Sequence, residues 1–275
     1  MPFVTTKDKT EIFYKDWGNP SGKPVVFSHG WPLNSDNWEN QMFFLANHGY
    51  RVIAHDRRGH GRSSQPWEGN DMDTWTDDLL TLIEHLDLKD AMLVGHSTGG
   101  GEVTRFLGRH GSSRVSKAVL VGANPPCMQL KEGNPNGQDE SVFDGYRAAL
   151  VANRAQLFHD IPAGPFFGYN LPGAKPSQGL IDSWYQQAML AGFKAVYDTP
   201  ATWQRDYTED LKSIDIPVLL LHGELDQIVP IKAAALEAIK VLKKGTLKVY
   251  PGGAHALPNT AVDEVNQDLL NFLKS

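Results

Sequence analysis

The run "LVGHSTGGGEV" (93–103) sets one serine, Ser97, between Gly95 and Gly99 and then adds Gly100 and Gly101. Glycine raises the entropic cost of ordering a chain, and a helix that opens on three of them opens poorly. The compensation is a hydroxyl held proud of a sharp turn that bulkier neighbours would block. Serine alone is a weak nucleophile at neutral pH, and it attacks a carbonyl carbon only beside a base that an acid orients. Ten histidines compete for the role of base. His255 lies in "YPGGAHALP", a glycine-rich loop past the last strand-like run, where a side chain can reach over a sheet. His96 adjoins the serine, but neighbouring side chains at a tight turn diverge. His29, His55 and His222 each close a strand-like run and are read as partners of loop backbone. For the acid, Asp226 in "LLLHGELDQIVP" follows the run immediately before the one leading to His255, and Glu224 is its rival, one turn residue too early.

An attacked carbonyl becomes an oxyanion that needs two donors, each worth roughly 10²–10³ in rate. The N–H of Thr98, at a helix start, is one candidate, because helix N-termini leave amides free and carry partial positive charge. The second is the N–H of Trp31 in "FSHGWP", where Gly30 permits close approach and Pro32 restricts the backbone of Trp31. The lesser alternative for "HGWP" taken alone is merely a turn with a packed tryptophan.

These residues need a scaffold. Apolar, β-branched runs recur at 11–17, 24–30, 50–56, 91–97, 117–123, 216–223 and 246–252. Most are continuously apolar, as strands buried on both faces are. Helical spacing appears at 74–88 and 231–244, so strand and helix alternate and a mostly parallel sheet with helices on both faces is expected. The first two or three strands lack intervening helices, which predicts an antiparallel edge. Residues 124–213 break the rhythm with Pro, Gly and aromatics and with helical patterns at 141–158 and 178–195. They read as a helical cap inserted into a core made of 1–123 and 214–275; a separate helical domain is the alternative. Ser97, Asp226 and His255 would then leave the same carboxyl edge of the sheet and converge. Serine, aspartate, histidine is the chain order of the α/β-hydrolase fold.

Composition narrows the function. The chain has 275 residues, is 41% hydrophobic and 21% charged, and carries a formal charge of −6. That balance argues against nucleic-acid binding. With no apolar run of membrane-spanning length, no membrane partner is expected. The start, "MPFVTTKDKTEIFYKDW", has neither a secretory core nor an Arg/Ser-rich presequence, so a cytoplasmic home is expected. Cys127 is the one cysteine, which excludes intrachain disulfides, iron–sulfur clusters and Cys-based zinc sites. Arg57, Arg58 and Arg62 are read as a solvated or ion-paired turn. "GHGRS" (59–63) lacks the glycine spacing of a dinucleotide site.

Taken together, "FSHGWPLNSDNW", "AHDRRGHGRSSQPW", "VGHSTGGGEVTRF" and "HGELDQIVP" closely resemble the cofactor-free haloperoxidase, perhydrolase and arylesterase branch of the α/β-hydrolases. The resemblance spans essentially the whole chain. It implies Ser97, Asp226 and His255 as a catalytic triad, Trp31 and Thr98 as oxyanion donors, and hydrolysis of small acyl or aryl esters, sometimes with chiral preference. It further implies that hydrogen peroxide can replace water to give peroxyacids, that no metal, haem or flavin is required, and that the chain forms a trimer or larger homo-oligomer. Three positions qualify the carry-over. Thr98 stands where some members carry Met, "GGAHAL" replaces a frequent Pro-before, Gly-after pattern, and Pro32 matches members better known for peroxide chemistry.

A pocket between the site and the cap is expected to use Trp31, Pro32, Met128, Phe166, Phe167, Ile228 and Val229 for an acyl or alcohol group. Rival readings are a physiological haloperoxidase, a lactonase or C–C hydrolase on the same fold, and a non-catalytic ligand-binding protein that kept the fold.

Overall fold

The apolar runs become strands because their side chains fill both faces of one sheet. The structure, a computed structural model, describes residues 2–275. Its strands are β1 (Phe3–Thr5), β2 (Glu11–Gly18), β3 (Pro24–Ser28), β4 (Arg51–His55), β5 (Ala91–His96), β6 (Val115–Val121), β7 (Val218–Gly223) and β8 (Gly245–Tyr250). They form a single sheet in the order β1-β2-β4-β3-β5-β6-β7-β8. The helices are α1 (Glu39–Asn47), α2 (Met72–His85), α3 (Thr98–His110), α4 (Glu140–Ala163), α5 (Gln178–Leu190), α6 (Phe193–Trp203), α7 (Thr208–Ser213), α8 (Ala235–Val241), α9 (Leu257–Thr260) and α10 (Val262–Lys274). No helix among the described residues is long and apolar enough to cross a membrane.

β1 pairs antiparallel with β2, and β2 with β4, while every other pair is parallel. Of the first strand-like runs, only 11–17 (β2) is antiparallel to its neighbours, β4 and β1, and β1 lies outside the expected runs; β3 is parallel to both β4 and β5. α1 lies between β3 and β4 in the chain and supplies the crossover that a parallel pair requires, so β3 sits between β4 and β5. The stripe that α1 buries is narrow (Gln41, Met42 and Leu45), which is why its nine residues do not announce a helix.

Along the parallel strands the side chains alternate between two layers. Val26, Leu93, Ala118, Leu120 and Leu220 pack with α2, α3 and α8. Val25, Phe27, Met92, Val94, Val119, Val121 and Leu221 pack with α1 and α10. A period of two with both phases apolar appears in sequence as an unbroken run.

Between β6 and β7 the chain folds into α4 to α7. The helical pattern at 141–158 lies inside α4, which bends at Asn153 (φ −164°, ψ 87°), where the side chain re-caps the helix by accepting from Gln156 N. The pattern at 178–195 divides at Ala191, which is extended, and Gly192 into α5 and α6. The expected helix at 231–244 shortens to α8, because the residues after Pro230 turn before the helix starts. α4, α5 and α6 build an aromatic layer that also takes in Trp31, Leu33, Val229 and Ala256 from the sheet's loops.

The three arginines are ion-paired, and two of them are not solvated at all. Arg57 is 1% exposed and donates to Glu102 through Nε (2.9 Å) and to the His29 carbonyl through Nη2 (2.8 Å). Arg58 pairs with the buried Asp78 at 2.6 Å, and Arg62 with Asp56 at 2.7 Å. Removing one partner of a buried pair strands the other charge, at a cost of roughly 3–5 kcal/mol, whereas an apolar replacement of both is often neutral. Arg57→Met is therefore expected to lower the urea midpoint sharply, and Arg57→Met with Glu102→Met to recover part of the loss. A double variant less stable than either single one would refute this account.

Candidate active site

Ser97 sits between β5 and α3 with φ 54° and ψ −121°, a conformation that side chains other than glycine rarely adopt. Strain of this kind costs of order 1–3 kcal/mol and survives only where packing over-determines it. Here the packing is backbone on backbone. A Cβ on Gly99 would lie 2.2 Å from the Ser28 carbonyl oxygen, and one on Gly95 would lie 2.2 Å from the Gly99 oxygen. Gly100 similarly meets Ala123, at 2.2 Å, so α3 beds directly on the end of β6.

Asp226 and His255 come from the loops after β7 and β8. Gly223 allows these loops to lie back to back, since a Cβ there would be 2.4 Å from the Gly253 and Ala254 carbonyls. Leu225 N donates to Gly253 O (2.8 Å) and locks them. His255 Nδ1 then meets Asp226 Oδ2 at 2.7 Å, while Asp226 Oδ1 accepts from Ile228 N (2.9 Å) and Val229 N (2.8 Å). Burial pushes the Asp226 carboxyl up, but the His255 charge and hydrogen bond, with His222 and the Val229 amide, outweigh it and hold the group below its ordinary range. An ionised carboxylate only accepts, so Nδ1 carries the proton of this bond, and in the neutral imidazole the lone pair is on Nε2. Gly122, beyond β6, brings backbone so close that a Cβ would stand 3.3 Å from His255 Nδ1. Nothing in the sequence singled it out.

The other candidates go elsewhere. Glu224 is exposed and accepts from Gly252 N (3.1 Å). His96 turns from the serine and places Nε2 3.1 Å from the His255 carbonyl, its ring 4.8 Å from the His255 ring. His29 and His222 bond the Gly30 and Val229 carbonyls, as read from sequence. His55 does not bond loop backbone, because the buried Glu102 carboxylate, 3.1 Å away, is the stronger acceptor.

Ser97 and His255 face one cavity of about 480 Å³, part of it open to solvent. Trp31, Met128, Phe166, Ile228 and Val229 line it, together with Asn124, Gln138, Tyr146, Ile161, Trp184 and Trp203, which sequence reasoning missed. Pro32 and Phe167 do not line it. Phe167 stacks on Tyr169 (5.2 Å) and borders an outer groove. No hydrogen bond joins the Ser97 hydroxyl to the imidazole among the described residues; such bonds commonly tighten only when substrate binds. Neither the Trp31 nor the Thr98 amide N–H meets an acceptor among the described residues. No cluster of three His, Cys, Asp or Glu side chains suited to a metal ion occurs among them either.

A strained serine at a strand-to-helix turn, over an eight-stranded sheet of this order, defines the class. The chain belongs to the α/β-hydrolase fold family, whose model matches residues 23–258. Within it the chain falls in the non-haem haloperoxidase branch. It is 53% identical to a non-haem haloperoxidase of Rhodococcus erythropolis and 49% identical to a bifunctional esterase/perhydrolase of Acinetobacter calcoaceticus, with 100% of both chains covered in each case. The crystal structure of a bromoperoxidase from Bacillus anthracis superposes with a TM-score of 0.95 at 35% identity, covering 100% of this chain and 99% of that one.

The histidines around the site give stability a pH dependence. Burial lowers His96 to about 3 and His60 to about 4, and lowers His29 well below 6.5. The unfolded chain then binds more protons than the folded one below pH 6.5, so stability falls as pH drops from there, by up to about 1.4 kcal/mol per pH unit and group. Asp78 and Asp210, whose carboxyls burial raises, act in the opposite sense but are outnumbered. Urea midpoints are expected to decline steadily from pH 6.5 to 5. A flat profile would show that these imidazoles are charged in the fold.

Proposed function

We propose that the protein is a serine ester hydrolase acting on small acyl or aryl esters, with perhydrolysis as a side activity. The observation that carries the reading is the 2.7 Å bond from His255 Nδ1 to Asp226, behind an imidazole that shares an apolar cavity with the Ser97 hydroxyl. In this mechanism Ser97 Oγ attacks the ester carbonyl and His255 Nε2 takes its proton. Asp226 holds the ring and stabilises the imidazolium. The Trp31 and Thr98 amides bind the oxyanion. His255 next protonates the leaving alkoxide, and water, or hydrogen peroxide, releases the acyl group as acid or peroxyacid. The cap residues 124–213 close the cavity with aromatic surface, which suits an apolar acyl or alcohol group over a charged one.

Ser97→Ala is expected to abolish phenyl acetate hydrolysis while leaving the melting transition in place, because alanine keeps the Cβ and the turn's backbone contacts and removes only a hydroxyl. A fluorophosphonate should label the wild type at Ser97. Turnover by Ser97→Ala, or a folded wild type that resists the probe, would overturn the reading, and the second result would favour a ligand-binding protein. The haloperoxidase reading is favoured by its relatives' names. It is separated by comparing phenyl acetate hydrolysis with monochlorodimedone halogenation in peroxide and acetate. In this reading Pro32 restricts the backbone of Trp31, whose carbonyl accepts a hydrogen bond from bound peroxide or peroxyacid. Pro32→Leu should then lower the perhydrolysis-to-hydrolysis ratio, and an unchanged ratio counts against that role.

A further inference from the structure

Helix α6 grips the side chains of both residues whose amides are proposed to bind the oxyanion. An indole N–H only donates, so when buried it must find an acceptor. Trp31 Nε1 donates to the Val196 carbonyl of α6 (3.1 Å), and Trp203 Nε1, at the end of α6, donates to Thr98 Oγ1 (2.9 Å). All three side chains are buried, Trp31 at 7%, Trp203 at 8% and Thr98 at 1% exposure. Val196 and Trp203 stand two helical turns apart and thus share one face of α6. The two indoles also meet edge to face at 5.2 Å, so the grip is a closed unit and not two separate contacts.

Main-chain contacts hold the turns that carry these amides, Gly99 against the Ser28 carbonyl and Leu33 N on Gly30 O (3.0 Å), and the side chains add a second tie. Thr98 opens α3 directly after the strained Ser97, and Trp31 lies in a loop outside any helix or strand. In each case the side chain also ties the residue to a second element, and that element is the same helix, α6.

We propose that Trp203 is a positioning residue for the oxyanion site: by holding Thr98 Oγ1 while Val196 holds the Trp31 indole, α6 sets the distance between the two donor amides. This rests on the oxyanion assignment above. Because Trp31 and Trp203 also line the cavity beside Ser97, the helix that shapes the acyl pocket and the helix that aligns the donors are one element.

The test is a double-mutant cycle on phenyl acetate. Thr98→Val keeps volume and the backbone N–H but removes the acceptor, and Trp203→Phe keeps an aromatic ring but removes the donor. A displaced donor costs less than a deleted one, so each variant is expected to lose about tenfold in kcat, against roughly 10²–10³ for a missing donor. KM should stay near wild type for Thr98→Val, whose side chain does not line the cavity. The double variant should be no slower than either single one, Thr98→Ser should restore most of kcat, and fluorophosphonate labelling rates should follow kcat. Wild-type kcat in Thr98→Val, or losses that multiply in the double variant, would overturn the proposal. If Trp203→Phe does not fold, Thr98→Val against Thr98→Ser decides alone. Failure of the probe to label wild-type Ser97 would instead sink the underlying assignment, so the two failures are distinguishable.

Discussion

The site depends on two places where backbone meets backbone with no side chain between. At the first, Gly99 lies on the Ser28 carbonyl, which fixes the turn bearing Ser97 to the start of the loop bearing Trp31. At the second, Gly223 lies on the carbonyls of Gly253 and Ala254, which fixes the Asp226 loop to the His255 loop. Each approach is closer than any Cβ tolerates, so each links two segments distant in sequence with the stiffness of main chain. Side-chain packing has rotamers to relax into; contacts of this kind have none. The positive φ of Ser97 persists for the same reason, because relaxing the turn would push α3 off both β3 and β6.

Much of this was legible beforehand, and the legible parts share a cause. Unbroken apolar runs identify strands buried on two faces, and glycine at fixed offsets from a serine identifies the sharp turn. That Asp226 meets His255 could be anticipated because adjacent parallel strands deliver their following loops to one edge of the sheet. What could not be read is equally specific. The place of β3 depends on α1, whose apolar stripe is too narrow to register. The break between α5 and α6 depends on Ala191 and Gly192, residues with no strong punctuation of their own. The lining residues Tyr146, Ile161, Trp184 and Trp203 come from three helices, and α4 bends between two of them, so no single periodicity collects them. Phe166 and Phe167 are neighbours in sequence, yet only the first faces the cavity, because adjacent side chains point different ways.

Arg57 shows how local charge misleads in the opposite direction. Three arginines within six residues look like a surface turn, yet Arg57 and Arg58 are buried. The partners that permit this, Glu102 and Asp78, lie far along the chain on α3 and α2. Glu102 sits on the helix that Ser97 opens, and Arg57 reaches from it to the His29 carbonyl, two residues before Trp31. A buried ion pair of this kind adds little to net stability but constrains geometry where its donors have designated partners, as Arg57 Nε and Nη2 do. Through the His29 carbonyl it ties the start of the Trp31 loop to α3.

The helical insertion braces the same region. Besides the two indole bonds, Phe166 O accepts from Ala256 N (3.1 Å), beside His255, and Gln138 Nε2 donates to Ile228 O (3.2 Å), beside Asp226. Every loop that carries a proposed catalytic group therefore holds at least one hydrogen bond to residues 124–213. An insertion fastened this way cannot swing open as a rigid lid without releasing all of those bonds together, at a summed cost of several kcal/mol even at the modest net value of about 1 kcal/mol each. Access to the cavity then depends on movements smaller than the release of the whole insertion.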